Sequence, residues 1–152
     1  MTVFAWPVRV YYEDTDHGGV VYHANHLKFM ERARTELFRK QGVELDHLQE
    51  SDKIIFAVTQ CEIDFVQPAK FNNLLLVTSE ITEGNRIKIE FKQKVYLMEE
   101  QDQKAIDGCY MEEPVQNKLL VRAKISVVSL NADTLKPKRI PELLREELMR
   151  EY

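Results

Sequence analysis

Long hydrophobic runs are absent from this sequence of 152 residues. Even the run LLLV at residues 74–77 is followed at once by Thr78, Ser79 and Glu80, whereas a transmembrane helix needs about 20 apolar residues. Residues 1–12 contain no basic segment followed by an apolar one, which argues against a signal peptide. We therefore expect a cytoplasmic protein with no transmembrane segment.

The sequence also contains few cysteines and has no excess of positive charge. The two cysteines, Cys61 and Cys109, are far apart and lack metal-ligand spacing, so we expect thiols in a reducing compartment. The formal net charge is −4. The chain therefore lacks the basic excess that neutralises phosphates, and we expect no nucleic-acid partner.

The fractions of 44% hydrophobic and 30% charged residues are typical of a globular protein. The length predicts a single domain over residues 1–152.

The first part of the chain predicts a strand, a loop and one long helix. Val8 and Val10 alternate with polar or amphipathic residues, as in a half-buried strand. From about residue 25 to residue 41, apolar side chains recur at helical spacing. Asn25 is the predicted N-cap of this helix, and Gly42 is the predicted left-handed stop.

The rest of the chain is predicted to be mainly strands. A change of parity near residues 59–60 predicts a bulge, and residues 84–85 (GN) predict the tight turn of a hairpin with one solvent-facing side. Alternation resumes at residues 119–127 and is followed by a short amphipathic C-terminal helix. Residues 103–117 have no clean period, so we expect a loop whose shortening leaves the fold intact.

This order of elements predicts an α+β fold in which one long helix covers an antiparallel sheet of five to six strands. One helix cannot cover both faces of such a sheet. Edge strands, among which we place residues 119–128, also need pairing. We therefore expect a homo-oligomer.

A dense group of polar residues precedes the long helix. Residues 14–26 contain two aspartates, three histidines and two glycines. The first turn of a helix offers unpaired N–H groups that stabilise a developing oxyanion, and a nearby carboxylate supplies a base or nucleophile. Asp14 and Asp16, two apart in an extended segment, are expected to face the same way. The alternative is that both are turn and capping residues. No H-x-x-x-H pattern supports a metal site, and we expect none.

Arg34 falls inside the apolar arc of the predicted helix. A lone buried guanidinium is costly, so we expect Arg34 to pair with Glu31 or with an acid of the preceding loop. The alternative is an exposed ion pair between the two residues. Glu31 is therefore a secondary site candidate.

Several segments resemble the signature of the 4-hydroxybenzoyl-CoA thioesterase family and, within it, the bacterial Tol–Pal-cluster acyl-CoA thioesterases. The resemblance rests on YEDTDHGGVVYH at residues 12–23 and ERAR at residues 31–34. FVQPA at residues 65–69, VRA at residues 121–123 and TLKPKRIP at residues 134–141 extend it over most of the chain. The resemblance implies a hotdog fold that assembles into homodimers or homotetramers, with active sites at subunit interfaces.

The activity implied by the resemblance is hydrolysis of an acyl-CoA to a carboxylic acid and coenzyme A without a cofactor, with acyl-carrier-protein thioesters as further substrates. The family's catalytic aspartate matches Asp16, and its histidine and helix glutamate match His23 and Glu31. The backbone N–H of about His23 would polarise the thioester carbonyl. Asp16 would act as general base or as nucleophile through an anhydride. The implied substrate-binding residues are Gly19, Val20, Val21, Tyr22 and His26.

Two departures from the family pattern bear on substrate choice. His26 stands where relatives commonly have an aromatic residue, and residues 103–117 are longer than the usual connection. Two other functions are the alternatives to hydrolysis. An acyl-thioester dehydratase uses a different arrangement of histidine and acid. A non-catalytic acyl-thioester-binding module would not need Asp16, His23 and Glu31 together.

Overall fold

A computed structural model describes residues 2–99 and 108–150 of the chain. The order of elements is β1 (Thr2–Arg9), a 3-10 turn (Tyr12–Asp14), α1 (Asn25–Lys40), α2 (Leu45–Asp52), β2 (Ile54–Phe65), β3 (Leu74–Gly84), β4 (Lys88–Leu97), β5 (Cys109–Glu112), a second 3-10 turn (Gln116–Lys118), β6 (Leu119–Asn131) and α3 (Glu142–Leu148). The strands form one antiparallel sheet of six strands in the order β2-β6-β4-β3-β1-β5.

Helix α1 lies across one face of this sheet and closes the main core. Its buried apolar side chains pack against strands of the sheet in one continuous cluster, which includes Phe29, Met30, Ala33, Leu37 and Phe38. Burying a large apolar side chain contributes about 1.5–3 kcal/mol, so this stripe is the main force that holds the helix in place. The 16 residues of α1 span about 24 Å.

Both ends of α1 have clear local causes. At the C-terminal end Gly42 adopts φ +84°, as predicted for a left-handed stop. At the N-terminal end the prediction was wrong by one residue, because Ala24 is the N-cap and Asn25 is already helical. The Asn25 side chain instead donates a hydrogen bond to Asp14 at 3.0 Å. This bond connects the preceding loop to the first turn of the helix.

The predicted bulge and hairpin are both confirmed. The pairing of β2 with β6 shifts register between Val58 and Gln60. β3 and β4 are joined by a turn in which the Asn85 side chain accepts backbone hydrogen bonds from Ile87 and Lys88. The C-terminal amphipathic helix is also present as α3.

Helix α2 was not predicted. It has eight residues, and Leu48 is the one classed as buried, so it lacks an apolar stripe long enough to produce a helical period. The expected solvent-facing side of the hairpin was also partly wrong. Lys94 and Tyr96 are 8% and 1% exposed, because Lys94 pairs with Glu113 and Tyr96 belongs to a second apolar cluster on that side of the sheet.

The loop prediction for residues 103–117 is wrong at residues 109–112, which form strand β5. Residues 103–107 lie outside the described residues, but β5 pairs with β1 at the sheet edge. The Tyr110 ring meets Phe4 edge-on at 5.6 Å, and Glu113 accepts hydrogen bonds from Lys94 and Tyr96. Deleting residues 109–113 would therefore remove an edge strand and a partly buried polar contact. Four residues are too few to show alternation.

The sheet edges also differ from the prediction. The strand at residues 119–128 belongs to β6, which is interior because it pairs with β2 on one side and β4 on the other. The two edges are β2 and β5. Within the described residues no helix is long and apolar enough to cross a membrane.

Candidate active site

The polar loop before α1 is held tightly against the end of β2. Thr15 and Val21 form a β-bridge, and the Asp16 amide donates to the Val20 carbonyl at 2.9 Å, so residues 16–20 close a small loop. Val20 also bridges Lys70, and the Val21 amide donates to the carbonyl of Ala69 at 2.8 Å. These backbone bonds fix the loop between α1 and the segment that follows β2.

Asp14 and Asp16 do not face the same way, contrary to the prediction. Asp14 ends the 3-10 turn, so the two-residue period of a strand does not apply there. Its carboxylate is 5% exposed and accepts hydrogen bonds from the Tyr11 amide at 2.8 Å and from the Asn25 side chain at 3.0 Å. Asp14 therefore matches the structural alternative of a turn and capping residue.

The Asp16 carboxylate is exposed at the mouth of the helix. Its Oδ1 accepts a hydrogen bond from the Gly18 amide at 2.8 Å, which orients the group. Its Oδ2 has no hydrogen-bond partner among the described residues. A Cβ at position 18 would lie 3.2 Å from Asp16 Oδ1, so Gly18 leaves room for this carboxylate. Gly19 adopts φ +78°, a backbone conformation that glycine adopts without strain. One carboxylate oxygen is thus held while the other remains available.

The start of α1 supplies hydrogen-bond donors beside this carboxylate. The first bonds of the helical turn are donated by the amides of Asn25 and His26 to the carbonyls of Tyr22 and His23. The backbone N–H groups of His23 and Ala24 donate to no acceptor within residues 2–99 and 108–150. Such unpaired donors at a helix start can bind an oxyanion.

A cavity of about 330 Å³ joins these groups. Its lining brings together five of the predicted site residues, namely Asp16, Val20, Val21, His23 and His26. The other predicted residues, Gly19, Tyr22 and Glu31, are not among its lining residues. The rest of the wall is formed by the end of β2 and the turn after it, namely Phe65, Val66, Gln67 and Pro68. These four residues were not predicted to belong to the site.

Glu31 and Arg34 behave differently from the prediction. Glu31 is exposed and accepts a hydrogen bond from Thr35 at 3.2 Å. Arg34 is 9% exposed and donates to the neutral side chain of Gln93 at 2.9 Å, with its guanidinium over the Phe91 ring. Burial lowers the pKa of Arg34, although the charge of Glu31 opposes this. The expected ion pair with Glu31 or a loop acid is thus replaced by a contact with β4.

A larger cavity of about 390 Å³ lies at the other end of α1, beside Leu37 and Gln41. It contains none of the predicted site residues. Among the described residues, no group of three or more histidine, cysteine, aspartate or glutamate side chains is arranged to hold a metal ion.

The family is decided by a match of residues 10–148 to the model of the thioesterase-like superfamily. The chain belongs to this superfamily. It is 34% identical over 146 residues to the acyl-CoA thioester hydrolase YbgC of Escherichia coli O157:H7, covering 96% of each chain. The resemblance inferred from the sequence motifs is thereby confirmed.

Solved structures support the fold of this superfamily member. A probable thioesterase from Bartonella henselae is 31% identical, with a TM-score of 0.75 over 91% of this chain and 99% of that one. An aspartate-to-asparagine mutant of 4-hydroxybenzoyl-CoA thioesterase, solved with 4-hydroxybenzoyl-CoA, is 18% identical, with a TM-score of 0.79 over 97% and 98% of the two chains. The predicted hotdog fold is confirmed, with two short helices added to the long one.

The two histidines of the cavity have different surroundings. His23 is exposed at the mouth, where its ring lies edge-on to Tyr22 and Phe65. His26 is 2% exposed, and its Nδ1 atom is sealed without a hydrogen-bond partner among the described residues. Burial lowers the pKa of His26 from 6.5 to about 4. In this superfamily member His26 is therefore neutral near pH 7.

The pKa of His26 predicts a pH dependence of stability. Because the folded pKa of about 4 lies below the unfolded value of 6.5, the unfolded chain binds more protons as the pH falls through this interval. The His26 contribution is complete above pH 6.5, and from pH 7 to pH 5 it decreases by about 2 kcal/mol. That loss lowers the melting temperature by roughly 5 °C.

The measurement is a series of thermal melts of the wild type and the His26→Phe variant between pH 7 and pH 5. The variant should lose less stability over this range than the wild type. His47→Gln, which changes an exposed histidine of α2, is the matched control and should follow the wild type. Equal pH dependence in the wild type and His26→Phe would contradict a buried neutral His26.

Proposed function

We propose that this protein hydrolyses acyl-CoA thioesters at the N-terminus of α1, releasing a carboxylic acid and coenzyme A. The main support for hydrolysis at this position is the arrangement of the cavity. The exposed carboxylate of Asp16 and the residue His23, whose backbone N–H at the start of α1 has no acceptor among the described residues, border the same cavity, whose other walls are mainly apolar. Thioester hydrolysis needs these parts, namely a base or nucleophile, an oxyanion site and an acyl pocket.

In the proposed reaction the thioester carbonyl accepts hydrogen bonds from the backbone N–H groups at His23 and Ala24. Oδ2 of Asp16 then removes a proton from an attacking water, or attacks the carbonyl carbon to form an anhydride that water hydrolyses. In both routes the C–S bond breaks and coenzyme A leaves as the thiol after protonation. We propose that His23 orients the substrate at the mouth, with Val20, Val21 and His26 along the acyl group.

The more peripheral predicted residues have supporting roles in this proposal. Gly19 permits the tight turn that places Asp16, and the exposed Tyr22 lies at the entrance beside the His23 ring. Glu31 does not line the cavity and is proposed as a positioning residue through its charge near Arg34. Its carboxylate is not assigned a chemical step.

Acyl-carrier-protein thioesters are included in the proposal. They present the same kind of thioester on a long arm, and the rim of the cavity is exposed at His23, Phe65 and Val66, so the carrier would remain outside. Both substrate types are cytoplasmic, and we propose the same location for the enzyme.

Asp16 and Asp14 provide a matched pair for testing the site. Asp16→Asn keeps the shape of the side chain but removes the basic oxygen, so the rate of thiol release from short acyl-CoAs should fall by about 10²–10⁴-fold. Substrate binding should persist. Asp14→Asn should instead reduce stability by about 1–3 kcal/mol, because it weakens buried hydrogen bonds, while folded enzyme keeps most of its activity.

Thermal melts of both variants separate folding from catalysis in this comparison. If Asp16→Asn keeps near-normal turnover while Asp14→Asn, still folded, loses it, then the catalytic carboxylate is Asp14. If both folded variants remain active, the chemistry occurs elsewhere in the molecule.

We also propose that the protein is a homodimer or homotetramer joined through β2. This strand is 12 residues long, lies at a sheet edge and pairs with β6 on one side. An edge strand of this length offers unpaired backbone groups to a second copy. The segment 65–68 continues from β2 into the cavity wall, so a partner on this edge would lie close to the site.

The oligomer is tested by light scattering on a size-exclusion column. The wild type should elute with at least twice the monomer mass at micromolar concentration. Val58→Lys places a charge on the exposed part of β2, where Val58 is 49% exposed, and should shift the population toward monomer. Leu143→Lys, at an 82% exposed position of α3, is the control and should not. A monomeric wild type would contradict the proposal.

A further inference from the structure

The enclosed part of the cavity at the start of α1 contains one polar side chain among its described lining residues. Val21 and His26 are the buried members of the lining, whereas Asp16, His23 and Gln67 are exposed at its rim. The Gln67 Nε2 already donates to a backbone carbonyl of β6 at 3.1 Å. His26 therefore decides the polarity of the inner wall.

The two nitrogens of the His26 ring have different surroundings. Nδ1 is sealed from solvent and has no partner among the described residues, whereas Nε2 is not among the sealed atoms. The rings of Phe29 and Phe65 flank the imidazole at 5.8 and 5.9 Å. A buried N–H without an acceptor is rarer in proteins than a buried acceptor without a donor. We therefore place the proton of the neutral ring on Nε2, the nitrogen that is not sealed, and since His26 lines the cavity this N–H is the donor that the ring can offer to a ligand there.

The position of His26 determines which part of a substrate this donor can reach. His26 follows His23 by three residues, which corresponds to a rise of about 4.5 Å along the helix. Helical side chains also point back toward the N-terminus. The imidazole therefore lies close to the amides proposed to hold the thioester carbonyl, and its N–H meets the acyl chain within the first few carbons.

We propose that His26 is a specificity-determining residue that favours short acyl groups with a hydroxyl on the third carbon over the unsubstituted acyl groups. The hydroxyl oxygen would accept the hydrogen bond from Nε2. A plain hydrocarbon chain would cover the same N–H and leave it unpaired, which a buried polar site discriminates against. This inference rests on the proposed hydrolysis at the same cavity.

The test compares 3-hydroxybutyryl-CoA with butyryl-CoA, which differ by one oxygen. The measured quantity is the ratio of the two kcat/KM values within each variant, so a general loss of activity cancels. The wild type should favour the hydroxylated thioester by about tenfold, the typical effect of one such hydrogen bond. His26→Phe, which keeps an aromatic ring without a donor, should bring the ratio close to one. His26→Gln, which restores an N–H donor, should recover part of the preference.

The same ratio can be measured without turnover. In the Asp16→Asn background, with and without His26→Phe, the dissociation constants of the two intact thioesters should show the same preference and the same loss. A wild-type ratio near one, or a preference that persists in His26→Phe, would overturn the role of His26. If the wild type releases no thiol from either substrate, the proposed hydrolysis fails, and the binding ratio still decides the role of His26.

Discussion

The packing of α1 against the sheet determines where the candidate site lies. The apolar stripe of α1 sets its rotation, and the buried contact between Arg34 and Gln93 sets its position along β4. Gln93 also donates hydrogen bonds to the Met30 carbonyl and to Ser79, so one side chain of β4 contacts the helix at two points and the neighbouring strand β3 at a third. With α1 held in this way, its unpaired first amides must open beside the loop that precedes it.

The loop before α1 contains two aspartates, two residues apart, that have different roles: Asp14 has a structural role, and Asp16 is the proposed reactive group. Asp14 is buried, and its carboxylate accepts hydrogen bonds from the Tyr11 amide and from the Asn25 side chain. The bond from Asn25 connects the loop to the helix. Asp16 is exposed and keeps one oxygen without a protein partner in the described residues. The same side-chain chemistry thus serves structure in one case and reactivity in the other, because burial and hydrogen bonding differ.

The sequence contained enough information to predict the elements whose patterns are long and local. The 16 residues of α1, the bulge in β2 and the β3–β4 hairpin follow from periodicity and turn chemistry. The motif before α1 likewise located most of the cavity residues. Features that depend on distant pairing were not predictable in this way. The partner of Arg34 is 59 residues away, and Phe65 reaches the site because the loop pairs with the segment after β2. The different burial of Asp14 and Asp16 follows from a single 3-10 turn at residues 12–14, which leaves no periodic pattern in the sequence.

Hydrolysis, rather than binding alone or removal of water, is the reaction proposed for the cavity at the start of α1. The direct measurement is to incubate the purified wild-type protein with a short acyl-CoA and to follow free thiol and free carboxylic acid together. Both products should accumulate in equal amounts over many turnovers. Hydrolysis at this cavity would be contradicted if the thioester bound and remained intact, or if the acyl group lost water while no thiol was released.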